Sequence, residues 1–376
     1  MIRILHVVCY PELYGTQRSL LSTVRCLDRT QFEPFVAAPA NPEFRRAVRH
    51  AGAAMDAAPM RNALDMASAA ALRKIIRGRG IHLVHAHLGI SSFLATAAAA
   101  SLGVPVVLTR HFIEDRYAAA ANPLKRMAYV RAYQWINARA RRIICVSQAV
   151  CDAVIAREKP DPSKCLVIPN GVRIPDETKE TGHGTAQAWA LPFAQPAPPR
   201  RMVACIARLC PEKGVDILLH AAAECVQSGL DICVAIAGQG PLRADLERLI
   251  VSLGLGGRVH LAGFIHNIPD LLNAADMFVL PALNEPFGIS LVEAMAASLP
   301  VVASASGGPL EIIEPGISGL LTPPGDSAAL AAAMRDILCS PEKAHALALG
   351  ARQRAALFDE RRTTRRVEQV YREALQ

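Results

Sequence analysis

The sequence of 376 residues lacks the features that mark several large classes of protein. Its ten cysteines form no C-x-x-C pair, which argues against a zinc module or a disulfide framework and fits reduced thiols in a cytosol. Glycine and proline follow no fixed period, so collagen-like and solenoid repeats are excluded. Neither half contains G-x-G-x-x-G, which makes a dinucleotide oxidoreductase a poorer interpretation.

Long hydrophobic segments are also lacking. The longest weakly polar stretch, residues 91–109, is rich in alanine and is interrupted by Gly103 and Pro105, so no transmembrane helix is predicted. The first residues form a strand-like pattern without the charged, apolar and small-residue zones of a signal peptide. We therefore expect a cytoplasmic protein.

The composition, 52% hydrophobic, is sufficient to bury a core in each of two domains. Short apolar runs alternate with longer helical patterns, which predicts parallel sheets covered by helices on both faces. The predicted strands are residues 2–8, 35–38, 83–87, 106–109, 143–146 and 166–168, followed by 202–206, 232–236, 259–261, 277–280, 301–303 and 320–321. Between the two series, the proline-rich and polar segment 173–200 is typical of a linker.

Charge divides along the same boundary. Residues 1–172 carry 23 Lys and Arg against 11 Asp and Glu, whereas residues 173–342 carry 10 against 18. The most basic run begins at Asn122 and its last cation is Arg142; it contains no acidic residue and three interleaved aromatic residues. Two interpretations stay open, a solvated surface helix and a helix that adsorbs to an anionic membrane surface. Nucleic acid is a poorer partner because no recognised nucleic-acid-binding motif accompanies the run.

The most informative motif places two carboxylates eight residues apart around a predicted helix start. Glu285 precedes the helix, Gly288 lets backbone amides approach an anion, and Glu293 lies about one turn inside. One ligand with phosphate and hydroxyl groups could meet all three, which suits a sugar nucleotide. The alternative is an ordinary capped helix with a solvated Glu293.

Two further turns have features of a ligand-binding site: one carries two cations, and the other has glycines in place of larger side chains. Arg208 and Lys213 follow the first strand of the second domain, where they suit a diphosphate; the alternative is a surface ion pair with Glu212. Gly238 and Gly240 form a tight turn after the next strand, which removes side chains where a ligand could pass.

These three segments, in this order and spacing, resemble the C-terminal domain of the retaining nucleotide-sugar glycosyltransferases of family 4. The resemblance continues through weaker N-terminal landmarks at residues 85–87, 109–111, 146–149 and 168–172, and so covers nearly the whole chain. It implies the α/β fold called GT-B, in which two Rossmann-like domains face each other. The implied domains are an acceptor-binding domain over 1–172, a linker over 173–200, a donor-binding domain over 201–355 and a helix over 356–376 that returns to the first domain.

The resemblance also implies roles for individual residues. Arg208 and Lys213 would bind the donor diphosphate, Glu293 the ribose hydroxyls and Glu285 the transferred sugar. The complete implied set has His111 and Glu285 as catalytic residues and Gly15, Arg208, Lys213, Gly238, Gly240, Phe287, Gly288, Ile289, Leu291 and Glu293 as donor-binding residues. Retention by front-side attack, with the leaving phosphate helping to accept the proton, would require no metal or other cofactor. His85 and His87 share one strand face and could ligate a metal, but the sequence places no third ligand near them.

The chain departs from the family pattern at two positions. The family has a Gly-Gly pair in the loop after the first strand, where this chain has Tyr14 and Gly15, so the role of that loop is open. Ser298 replaces a glycine that is usual in the family, and we expect little effect because a small residue is kept.

We therefore expect a retaining hexosyltransferase that moves sugar from a nucleotide-sugar, with UDP as the expected nucleotide, to a glycan or lipid-linked acceptor in cell-envelope polysaccharide or glycolipid synthesis. The basic run would hold it at the inner face of the cytoplasmic membrane. Two alternatives stay open: an isomerase resembling the UDP-sugar 2-epimerases, which share this architecture, and a protein that binds nucleotide-sugars without turnover.

Overall fold

The computed structural model describes residues 1–63, 65–87, 89–112, 122–175 and 201–376. The chain divides into two compact units, the first made of Met1–Val172 with Asp359–Gln376 and the second of Arg173–Phe358. Most of the predicted linker, residues 176–200, lies outside the described residues. Each unit is built on a parallel sheet with helices between the strands, which confirms the predicted α/β fold class.

The first unit contains a seven-stranded sheet in the order β3-β2-β1-β4-β5-β6-β7. Its strands are β1 Ile2–Val7, β2 Phe32–Ala38, β3 Ala54–Ala57, β4 Leu83–His87, β5 Val106–Arg110, β6 Arg142–Cys145 and β7 Cys165–Val167. Its helices are α1 Gly15–Cys26, α2 Pro42–His50, α3 Met66–Arg79, α4 Gly89–Ala100, α5 Pro123–Arg139, α6 Gln148–Glu158 and, from the end of the chain, α14 Glu360–Leu375. Side-chain caps fix several helix starts; Asn41 accepts from the amide of Phe44, for example, with Pro42 at the first helical position.

The second unit contains a six-stranded sheet in the order β10-β9-β8-β11-β12-β13. Its strands are β8 Arg201–Ile206, β9 Ile232–Ala237, β10 Val259–Gly263, β11 Met277–Leu280, β12 Val301–Ser304 and β13 Leu320–Thr322. Its helices are α7 Val215–Gln227, α8 Arg243–Ser252, α9 Ile268–Ala274, α10 Ile289–Ala296, α11 Pro309–Ile312, α12 Ser327–Leu338 and α13 Pro341–Ala355. Short 3-10 turns cover Pro162–Lys164, Pro211–Lys213 and Ala356–Phe358.

The strand predictions hold with one omission. All twelve predicted strands are present, with ends that differ by three residues or fewer. The missed strand is β3 (Ala54–Ala57), which lies at the edge of the first sheet and contains no β-branched residue.

The last helix completes the core of the first unit, as the family resemblance implied. In α14, Val367, Val370, Tyr371 and Ala374 recur at helical spacing and are buried against the sheet residues Ile4, Leu83, Val107 and Ile144. The helix is also tied to α1, because the Glu360 carboxylate accepts from the Ser22 hydroxyl at 2.8 Å and pairs with Arg25.

Candidate active site

An ion pair joins two of the predicted donor-site segments in the second unit. Lys213 ends the 3-10 turn after β8, and Glu285 lies in the loop between β11 and α10. The Lys213 Nζ lies 2.7 Å from Glu285 Oε2, and the two side chains are only 17% and 11% exposed. The structure therefore places a cation and a carboxylate together in a sheltered position.

Backbone hydrogen bonds hold the loops that carry this pair. The amides of Leu283 and Asn284 donate to the Glu212 carbonyl at 3.0 and 3.3 Å. The Gly308 amide, in the loop after β12, donates to the Glu285 carbonyl at 2.8 Å. Glu285 is thus positioned by main-chain contacts on both sides of its loop.

Two glycines allow these loops to approach so closely. A Cβ at Gly214 would lie 2.2 Å from the Pro281 carbonyl oxygen, and this residue has a φ of +57°. A Cβ at Gly308 would lie 2.2 Å from the carbonyl oxygen of Phe287. Larger residues would force the loops apart and move Lys213 away from Glu285.

The predicted donor-site glycines after β9 have a structural use of the same kind. A Cβ at Gly238 would lie 1.8 Å from the Ala207 carbonyl oxygen, and a Cβ at Gly240 would lie 2.2 Å from the Leu209 carbonyl oxygen. The Leu209 amide also donates to the Gln239 carbonyl at 3.0 Å. These glycines therefore fix the backbone on either side of Arg208, whose side chain is exposed.

Helix α10 presents the remaining predicted donor residues. It starts after Gly288, which has a φ of +106°, and no side chain caps its first amides. Ile289 is half-buried and Leu291 is fully buried, while Glu293 is half-buried and already has a polar partner within the protein. The Phe287 ring packs edge-on against Phe358, with ring centroids 5.8 Å apart.

The helix ends in a motif that gives Ser298 an unexpected backbone conformation. The amide of Ser298 donates to the Met295 carbonyl and that of Leu299 to the Ala294 carbonyl, which is the Schellman pattern. Ser298 consequently has a φ of +60°, in the left-handed region that favours glycine. The backbone conformation therefore explains the glycine that is usual at this position.

In the first unit, His111 is the outermost member of a row of imidazoles. Its Nε2 lies 3.3 Å from His87 Nδ1, and His87 Nε2 lies 3.5 Å from His6 Nδ1. His85 lies beside this row and contacts Thr109 Oγ1 at 2.6 Å and Tyr371 Oη at 2.7 Å. All four histidines are at most 8% exposed.

Burial keeps these imidazoles neutral. Desolvation, followed by the nearby Arg110 cation, lowers the pKa of His111 to about 3. Desolvation with a contribution from Arg29 lowers the pKa of His6 to about 3 as well. The pKa values of His85 and His87 are also depressed by burial and by the neighbouring histidines. None of the four can act as a cation at neutral pH.

His6, His85 and His87 also have the composition of a metal site. Each offers one ligand atom, and the three atoms lie within 4.8 Å of one another. Both nitrogens of His85, however, are engaged by Thr109 and Tyr371. Both nitrogens of His87 are engaged too, by His111 and His6. In the described part of the chain this leaves one nitrogen of His6 for a metal, fewer ligands than protein zinc sites use.

The loop after β1 accommodates Tyr14 without backbone strain. Tyr14 is extended, with a φ of −84°, and precedes Gly15, the first residue of α1. Its side chain is 41% exposed. The conformation at Tyr14 does not require the second glycine of the family pattern, and Gly15 stays at the helix start where its predicted role places it.

The basic run contains helix α5. Its first two turns are exposed on all sides, including Leu124, Met127 and Tyr129 at 69%, 56% and 46%. The second half packs inward: Trp135 lies 5.3 Å from Phe93 between ring centroids. Within the described residues, no helix is both long and apolar enough to cross a membrane.

Sequence reasoning gave no part in these sites to His6 or Tyr371. Thr109, Gly214 and Gly308 stand within or beside recognised motifs, but their structural roles were not predicted. His6 had a detectable signal, because Ile4 and His6 on β1 repeat the apolar-then-histidine alternation of Leu83 and His85 on β4. Tyr371 had none, since its partners lie 286 residues away in the chain.

Comparisons with known proteins agree with the fold. The family described as "Glycosyl transferases group 1" matches residues 189–354, and the family described as "Glycosyltransferase Family 4" matches residues 14–174. Among solved structures, that of Anabaena HepE in complex with UDP-glucose has a TM-score of 0.84 and 24% identity, and the match covers 99% of this chain and 100% of that one.

Two curated relatives carry specific names. A D-inositol 3-phosphate glycosyltransferase from Salinispora arenicola is 30% identical over 312 residues, which cover 78% of this chain and 69% of that protein. The UDP-Gal:alpha-D-GlcNAc-diphosphoundecaprenol alpha-1,3-galactosyltransferase of Escherichia coli is 28% identical, with 81% of this chain and 79% of that protein covered. The fold and the matches together define a glycosyltransferase of the GT-B type. More particularly, the chain belongs to glycosyltransferase family 4.

Proposed function

We propose that this glycosyltransferase moves a sugar from a UDP-sugar to a glycan or lipid-linked acceptor, with retention at the anomeric carbon, in cell-envelope polysaccharide or glycolipid synthesis. The observation that carries the proposal is the sheltered Lys213–Glu285 pair, held beside the start of α10 by loops that only glycine permits. A cation and a carboxylate in one sheltered place suit a ligand with both phosphate and hydroxyl groups.

The residues of the proposed site bind different parts of the donor. Lys213 and the exposed Arg208 neutralise the diphosphate, whose negative charge grows as the glycosidic bond to phosphate breaks. The free amides at the start of α10 add donors for phosphate oxygens. Glu285 accepts hydrogen bonds from the transferred sugar, and Glu293 from the ribose. These groups need no metal to hold the donor.

The UDP assignment and the lipid-linked acceptor are supported by the Escherichia coli relative, which is named for transfer from UDP-Gal to a diphosphoundecaprenol-linked sugar. The test of the donor is a thermal-shift series with UDP, GDP, ADP and their common sugars, because a ligand that binds only the folded protein raises its Tm. A shift with the UDP series alone is expected. A larger shift with GDP or ADP would overturn the base assignment.

The reaction itself is tested by product analysis with the preferred donor. Transfer with retention gives an α-linked product from an α-linked donor, which proton NMR detects by the anomeric coupling. An altered nucleotide-sugar formed without acceptor would favour the isomerase, and nucleotide binding with neither product would favour the binding-only alternative.

Membrane attachment through α5 is the part of the proposal that concerns location. Lys125, Arg126 and Arg131 are exposed beside Leu124 and Met127, and basic residues next to apolar ones are typical of helices at anionic lipid surfaces. Each cation contributes about 1 kcal/mol at such a surface. Replacing all three with Gln should therefore weaken binding to anionic vesicles about a hundredfold.

The matched control uses three cations on α3 of the same unit, Arg73, Lys74 and Arg77. Their replacement with Gln removes equal charge from the second half of α3, where Leu72 and Ile76 are buried and Ile75 is half-buried, and vesicle flotation should change much less. If both variants lose vesicle binding equally, the binding depends on net charge and not on α5. If the wild type does not bind anionic vesicles at low salt, membrane attachment is refuted.

A further inference from the structure

The imidazole row of the first unit follows from the register of three parallel strands. His6 on β1 pairs with His85 on β4, and His87 pairs with Thr109 on β5. Because side chains two residues apart share a face, His87 and His111 lie on the same face as His6, at the carboxyl ends of the strands. His111 is thereby connected to the interior through the neutral rings of His87 and His6.

Each neutral imidazole carries one N–H and one lone pair, so a contact between two rings needs a donor on one side only. His87 uses both nitrogens, Nδ1 toward His111 and Nε2 toward His6. The row can therefore run in two ways only. Either every ring donates outward toward His111, or every ring donates inward toward His6.

The inner end of the row decides between them. His6 Nε2 is buried and has no hydrogen-bond partner in the described part of the chain. Inward donation would leave an N–H group at that atom, whereas outward donation leaves a lone pair. Unpaired buried N–H groups are the rarer of the two in folded proteins.

We infer that His6 and His87 are positioning residues that hold His111 as the Nδ1–H tautomer, so that it offers a hydrogen-bond donor, and not a base, to an oxygen atom of the substrate. The inference rests on the proposed glycosyl transfer and on the catalytic role that the family resemblance implies for His111. It adds that the proton of the acceptor hydroxyl does not pass to His111, whose Nε2 lone pair is used by His87. An oxygen atom outside this row, such as one on the departing phosphate, has to take that proton.

Nitrogen NMR of the intact, histidine-labelled protein at pH 7.5 reads the tautomer directly, without substrate. The His111 signals are assigned by their loss in His111→Gln. A protonated Nδ1 and an unprotonated Nε2 are expected. A protonated Nε2 on His111 would overturn the inference even if the glycosyltransfer proposal stands.

Substitution tests whether the row sets the tautomer. His87→Phe keeps a ring of similar size and removes both nitrogens, so His111 should become a mixture of tautomers and kcat should fall about tenfold, the equivalent of one hydrogen bond. The KM for the donor should change less than twofold, because the charged side chains proposed to bind the donor lie in the second unit.

The matched control is Tyr371→Phe, which removes one hydroxyl from the neighbouring His85 and leaves the row intact. It should lower the Tm while the His111 signals stay unchanged. An equal change of His111 in both variants would contradict the inference. If His87→Phe fails to fold, the wild-type spectrum still decides the tautomer. If His111→Gln transfers sugar at the wild-type rate, the proposed role of His111 fails, whatever its tautomer.

Discussion

Glu285 illustrates how one residue serves two functions. Its carboxylate pairs with Lys213, while its carbonyl accepts from the Gly308 amide. A substitution that keeps the backbone geometry therefore isolates the carboxylate. Its effect on the reaction can then be attributed to the carboxylate and not to a change in the conformation of the loop.

Replacement of Glu285 with Gln should lower the transfer rate by about a hundredfold, because a charged hydrogen-bond acceptor for the sugar is lost. The affinity for UDP should stay within about threefold, since the side-chain oxygen of Gln still accepts from Lys213. Calorimetry measures binding and a product assay measures transfer. As the comparison, Lys213→Ala should reduce both, because it removes a diphosphate ligand. Wild-type transfer by Glu285→Gln would remove Glu285 from the mechanism.

Ser298 offers a gain in stability. Its left-handed φ strains any residue with a Cβ, and the Schellman hydrogen bonds depend only on the backbone. Ser298→Gly should raise the free energy of unfolding by up to about 1 kcal/mol after the entropy of the added glycine is counted. Thermal unfolding measures the change, and Ser298→Ala, which keeps the strain, should give no gain. A lower Tm for the glycine variant would contradict this.

The residues of the proposed donor site could be identified from sequence because they cluster along the chain. Arg208 and Lys213 are five positions apart, and Glu285 and Glu293 are eight apart. The ion pair between Lys213 and Glu285 was not predictable, since it joins residues 72 positions apart. The use of Gly238 and Gly240 was also unforeseen, because a sequence does not show which carbonyl a missing Cβ would meet.

At the scale of the elements, strand pairing creates the histidine row. The alternation along β1 and β4 can be read from the sequence, but the register that aligns His6 with His85 is a property of the sheet. The short edge strand β3 escaped prediction for a related reason, because neighbours in the sheet stabilise it more than its own residues do.

Burial of the histidines makes the first unit sensitive to acid. The folded pKa values of His6 and His111, about 3, lie below the value of 6.5 for an exposed histidine. The unfolded chain therefore binds protons below pH 6.5 that the folded protein does not. The contribution of these neutral, buried histidines to the free energy of unfolding is complete above pH 6.5 and is lost as the pH falls toward 3. Urea unfolding should show a decrease of about 2 kcal/mol for each of these two residues between pH 7 and pH 5.

Substitution identifies the histidines that cause this pH dependence of the free energy of unfolding. His6→Phe should reduce the dependence of unfolding free energy on pH by about one proton, or about 1.4 kcal/mol per pH unit. An unchanged slope in His6→Phe would show that His6 is not buried neutral.

At the scale of the whole molecule, the last helix belongs to the first unit. Tyr371, fully buried near the end of the chain, packs edge-on against Phe32 of β2 at 5.9 Å between ring centroids. Its replacement with Ala should destabilise the first unit by about 3 kcal/mol or more through the cavity left behind. Affinity for UDP should survive, because Arg208, Lys213 and Glu293, the charged residues proposed to bind it, are in the other unit. Loss of UDP binding together with stability would show that the units do not behave independently.

This arrangement fixes the order in which the protein can mature on the ribosome. Residues 1–172 emerge first, but the sheet face that α14 covers stays open until residues 360–375 have been synthesised. The second unit, Arg173–Phe358, is continuous in sequence and can fold before α14 of the first unit has been synthesised. The domain made first is thus finished last, and during translation its uncovered apolar strands are the surface that chaperones would need to protect.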